Sequence, residues 1–80
     1  MYNDINILKL RDKIVPDIDG IFLGCDVSLH PRMKDVIIIL KLGSIEYIVT
    51  IDNEGIIVDS RFSREHRMCL ITLIERCYKI

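Results

Sequence analysis

The eighty residues include no alanine, no glutamine and no tryptophan, while isoleucine occurs sixteen times. Alanine codons are GC-rich and isoleucine codons AT-rich, so this usage points to an AT-rich genome. A short frame of this kind fits a phage, a virus or a mobile element, and AT-rich bacteria besides. The longest uninterrupted apolar run, Val36–Leu40, is five residues, far from the ~20 that span a bilayer, so no membrane association is expected. Met1–Leu10 carries Asp4 and Lys9 and no small-residue cleavage site, which argues against a signal peptide. Cys25, Cys69 and Cys77 are odd in number and form no CxxC. Free thiols in a reducing cytoplasm are the expectation. Gly20, Gly24, Gly43 and Gly55 stand alone, so no phosphate-cradling glycine loop exists.

What is present is globular. Half of the residues are apolar and 29% are charged, a balance unlike that of disordered chains. Eighty residues make one domain with a thin core. The net charge of −1 provides no global field toward nucleic acid or anionic lipid. It is unevenly spread, however. Residues 1–59 hold six Lys/Arg against ten Asp/Glu, and residues 60–80 hold five against two.

Asn3 and Asp4 are N-cap types, and Ile7, Leu10 and Ile14 repeat with helical spacing, Ile5 and Leu8 alongside. A helix of about ten residues, closed by Pro16, is predicted. Ile21, Leu23, Cys25, Val27 and Leu29 then alternate with Phe22, Gly24, Asp26, Ser28 and His30, the pattern of a strand. His30–Asp35 contains Pro31 and is polar, so it breaks that strand. Val36–Leu42 and Ile45–Asp52 are two further strands. Gly43-Ser44 between them suits a type II′ hairpin, which pairs 42 with 45, 40 with 47 and 38 with 49. The same register sets Lys41 opposite Glu46 and Ile39 opposite Ile48. Asp52-Asn53-Glu54-Gly55 is a turn, and Ile56–Asp59 a short fourth strand. Ser63 caps a final helix that is expected to run to about Tyr78, with Glu65 in its first turn. The predicted fold class is α+β, order αββββα. Its sheet is an antiparallel meander of four strands, with three as the alternative, and both helices pack on one face.

That arrangement leaves an oddity. If Val36, Ile38, Leu40, Tyr47, Val49, Ile51, Ile56 and Val58 face the helices, the far face shows Phe22, Ile37, Ile39, Ile48, Thr50 and Ile57, diluted by Asp26, Lys41, Glu46 and Asp59. A wet face normally alternates cleanly, and an apolar patch of this size tends to mark an interaction site. The competing readings are that one helix crosses to cover it, or that isoleucine stands exposed for its β-propensity. On the C-terminal helix His66, Leu70, Leu73, Ile74 and Cys77 share a face, and Met68 falls in the middle of the polar side, where an exposed methionine makes an adaptable contact.

Arg61, Arg64 and Arg67 cluster with His66 at the start of that helix, followed by Arg76 and Lys79. Cations there oppose the helix dipole, while the helix N-terminus itself favours phosphate. A solvated surface is the plainer reading. His66 and Cys69 are neighbours, but two ligands fall short of the four of a usual zinc site. Cys25 and Cys77 read as buried small hydrophobes, and Asp17/Asp19 beside Gly20 as turn chemistry. No metal, cofactor or catalytic set is expected.

A helix, a meander and a C-terminal helix with a basic start, Ser63-Arg64-Glu65-His66-Arg67, is similar in element order to the double-stranded RNA-binding domain. It departs from that domain in its fourth strand, in the acid within the helix start and in lacking the loop histidine. The order also looks like some short phage-encoded CRISPR inhibitors, which are often strongly acidic, whereas this chain is near neutral. Both likenesses are architectural. The sequence thus supports a small non-enzymatic cytoplasmic module that binds a host protein, an inhibitor of a host protein or defence system. Its contacts would be Phe22, Ile37, Ile39, Ile48, Ile57 and Met68, and homodimerisation through the same face is compatible. The alternative is a nucleic-acid binder using Arg61, Arg64, Arg67, Arg76 and Lys79.

Overall fold

The computed structural model describes residues 7–22 and 24–77. Its elements are α1 (Ile7–Lys9), a π-helical turn (Leu10–Ile14), α2 (Val15–Ile21), β1 (Asp26–Pro31), β2 (Val36–Leu42), β3 (Ile45–Asp52), β4 (Gly55–Val58) and α3 (Arg64–Glu75). The four strands form one antiparallel sheet in the order β1-β2-β3-β4. The fold is α+β. The proposed caps Asn3 and Asp4, together with Leu23, Tyr78 and Lys79, lie outside the described residues.

The N-terminal helix does not stop at Pro16. The wide turn over Leu10–Ile14 re-phases the carbonyls just before the proline, whose ring would otherwise meet the carbonyl four residues back. Pro16 is the second residue of α2, directly after that turn. The helix therefore continues through Ile21, and Phe22, Gly24 and Cys25 are not strand. Leu10, Ile14, Ile18 and Phe22, spaced by four, are all buried. Alternation in the sequence over 21–29 predicts a strand because apolar residues at steps of two and of four overlap there. Gly24, at φ +76°, takes the left-handed conformation after the helix, and β1 begins only at Asp26.

The central hairpin follows its turn. Gly43 has φ +62° and Ser44 does not share a positive φ, as a type II′ turn requires. Leu42 pairs with Ile45, Leu40 with Tyr47 and Ile38 with Val49. Asp52 closes the β3–β4 turn by accepting the Glu54 and Gly55 amides at 2.8 and 3.1 Å. Ser63 caps α3 by accepting the His66 amide at 3.2 Å.

Both helices pack on the same side of the sheet. One core holds Leu10, Ile14 and Ile18 from the N-terminal helix, Leu70, Ile74 and Cys77 from the α3 end, and Val36, Ile38, Leu40, Val49, Ile51 and Val58 from the sheet. Each fully buried aliphatic contributes roughly 1.5–3 kcal/mol. A run of rings seals one end: Tyr47 stacks on Phe62 at 4.4 Å, Phe62 meets Phe22 at 5.4 Å, and Phe22 meets the His66 ring edge-on at 4.8 Å.

Candidate interaction surface

The strand registers set the outer face in rows. The first row crosses the sheet as Asp26, Lys41 and Glu46, the second as Ser28, Ile39 and Ile48, and the third as His30, Ile37, Thr50 and Ile57. Ile48 and Ile57 are 48% and 57% exposed. Ile37 and Ile39, on the central strand β2, are half-buried between their lateral neighbours. Four isoleucines thus form a contiguous patch around Thr50. Ser28 and His30, hydrogen-bonded to each other at 3.0 Å, give it a polar rim over β1, and the Asp26–Lys41–Glu46 row closes one end.

Phe22 does not belong to this patch. It is 9% exposed and lies in the core against Phe62 and His66. Its place at the end of α2, rather than in a strand, turns it to the helix side. Met68 is 55% exposed on α3, an element packed on the opposite side of the sheet. The sequence-derived contacts therefore divide into one four-isoleucine face and one separate methionine.

β4 pairs with β3 only over Val49–Asp52, which leaves Ile45–Ile48, paired with β2 on one side, without a strand on the other. Asp59 and Arg61 occupy that edge. The Asp59 carboxylate accepts the Ile48 amide at 3.1 Å, and Arg61 donates to the Glu46 carbonyl. Arg61 also bonds Asp59 through Nε at 3.0 Å and through a terminal nitrogen at 2.8 Å, with its guanidinium 4.8 Å from the centre of the Tyr47 ring. The Arg61 side chain and amide, aided by the Ile48 amide, hold the Asp59 carboxyl well below the usual carboxylate range against the opposing effect of burial.

That geometry bears on the basic cluster. Arg61 is engaged as an edge cap. Arg64 and Arg67 are exposed in the first turn of α3. Arg76 lies at the far end of that helix, about 18 Å from Arg64 at 1.5 Å per residue. There it borders a groove of about 640 Å³ whose other wall carries Lys9, Asp12, Lys13 and Asp17. Cations and acids alternate around that groove, so it has no single-sign field. Arg64 and Arg67 thus stand at one end of α3 and Arg76 at the other.

His66 is exposed, with its ring against Phe22. Among the described residues no three His, Cys, Asp or Glu gather as a metal set, and no helix is long and apolar enough to cross a membrane. Cys25 and Cys77 are buried and Cys69 is partly exposed, and none of the three forms a disulfide. No motif or period marks Met33 in the sequence. It is 92% exposed at the tip of the β1–β2 turn, which the Arg32 backbone amide closes on the Asp35 carbonyl at 2.8 Å. The two side chains add a two-pronged ion pair at 2.6 and 2.7 Å. An arginine and an aspartate at the two ends of a four-residue turn were the available signal.

No protein-family model, no curated protein and no solved structure matches this chain.

Proposed function

We propose that this protein is a non-enzymatic protein-binding module whose outer sheet face docks on another protein. The observation that supports it is the uncovered isoleucine patch: Ile48 and Ile57 stay about half exposed while both helices pack on the other face. Apolar surface gathered in this way on one face, with a polar rim, is typical of interaction sites. The concrete form is an inhibitor encoded by a phage or mobile element that occupies a surface of a host protein or defence system.

Binding to a purified candidate target tests the reading. Ile48→Asp and Ile57→Asp should each weaken the complex by tenfold or more, because each sets an unpaired charge in a desolvated interface. Arg64→Glu with Arg67→Glu should leave it intact. The opposite pattern, with affinity falling steeply as salt rises, would identify phosphate contacts and a nucleic-acid partner instead.

A further inference from the structure

We propose that the outer face docks on a second copy of this chain, about a two-fold axis parallel to the strands and midway between β2 and β3. The inference rests on the protein-binding reading of that face and names its occupant. A two-fold axis in this position carries each residue of β2 onto the β3 residue that it already pairs with, in the other copy. The register of β2 and β3 then dictates the contacts. Ile39 meets the partner's Ile48, and Ile48 meets the partner's Ile39. Lys41 meets the partner's Glu46, and Glu46 meets the partner's Lys41. The apolar pairs fall beside the axis, and the charged pairs come out opposite in sign at both symmetry-related places. Lys41 and Glu46 are both exposed, so each is free to reach across. Isologous two-fold contacts require self-complementarity of this kind, and face-to-face sheets whose strands run within about 30° of each other keep the central rows in register.

The face is small. Four strands about 4.8 Å apart and six residues at about 3.3 Å each define a footprint of about 400 Å² per copy. Interfaces of that size belong to transient complexes, so the dimer forms and dissociates with concentration.

Sedimentation equilibrium on the full chain over a wide concentration range tests this. The parent's average mass should rise from monomer toward dimer. Lys41→Glu and Glu46→Lys, each alone, should stay monomeric, since each creates two like-charge contacts across the axis. Mixed one to one, the two variants should associate, because both contacts become opposite in sign. The double variant Lys41→Glu/Glu46→Lys should self-associate as the parent does, and it restores the pairing within the chain if a single variant folds poorly. A parent that remains monomeric overturns the second copy as occupant, as do single variants that dimerise as well as the parent. The outer-face reading is scored separately by a dye that fluoresces on apolar surface. A monomer whose dye signal falls in Ile48→Asp keeps an open apolar face for a different protein. A monomer whose dye signal is unchanged by Ile48→Asp overturns both readings.

Discussion

The Asp59 carboxylate and the Arg61 guanidinium meet at 2.8 Å, and together they close the stretch of β3 that β4 is too short to cover. An open strand edge invites pairing with another chain. Here a carboxylate takes the Ile48 amide and a guanidinium takes the Glu46 carbonyl, so two side chains stand in for a missing strand. Asp59→Ala should therefore destabilise the fold by about 1–2 kcal/mol, since it strands an edge amide and releases Arg61. Urea unfolding measures this, and faster exchange of the Ile48 amide locates it.

The same carboxylate gives the fold a pH dependence. Asp59 is held below its usual range, mainly by Arg61, and Asp35 is held low in the same direction by Arg32. A depressed carboxyl contributes its stability fully above the unfolded value of about 3.9 and loses it as pH falls through the lower folded value. Stability should thus be flat near neutrality and fall below about pH 4. In Asp59→Asn the acid limb should be shallower, read as the urea midpoint against pH. An acid limb identical to the parent's would show that Asp59 does not carry it.

Alternation on β2 and β4 makes neighbouring isoleucines unequal. Ile38 has no exposed surface, whereas Ile57 is 57% exposed. Ile38→Ala should cost about 2–5 kcal/mol, the range for emptying a packed core site. Ile57→Ala should stay within about 0.5 kcal/mol, as surface changes usually do. Comparable losses at both sites would mean that the outer face is covered.

Gly43 sits at φ +62° with open space where a Cβ would be. Any cost of Gly43→Ala is therefore conformational, about 1 kcal/mol by thermal unfolding.

The three thiols should react in order of access. Burial pushes the Cys77 thiol up, against a smaller lowering by Lys9 and Lys13, and Cys25 is buried as well. Cys69, partly exposed on α3, should alkylate first in the native state. Peptide mapping after brief iodoacetamide treatment reads the order, and equal rates at all three would mean that the core opens readily.

Much of this was written locally. The Gly43-Ser44 turn spans two residues, and a tight turn leaves the flanking strands one register. The pairing of Lys41 with Glu46 and Ile39 with Ile48 followed from it, and period-two alternation then sorted the inner side chains from the outer. Ser63 as a cap and Asp52 as a turn closer were likewise legible, because a side-chain oxygen bonding an amide two or three residues on needs nothing from the rest of the chain. The place of Phe22 lies beyond that locality. Leu10, Ile14, Ile18 and Phe22 repeat by four past a proline, and a π turn that absorbs Pro16 is a matter of the whole helix packing on the sheet. Tertiary structure alone decided which face the N-terminal helix covers, and so whether Ile37, Ile39, Ile48 and Ile57 are core or surface. It also took Arg61 out of the basic cluster and set it on the β3 edge. Period and turn chemistry act over a few bonds, whereas the side on which a helix lies depends on burying its apolar stripe against strands that are distant in the chain.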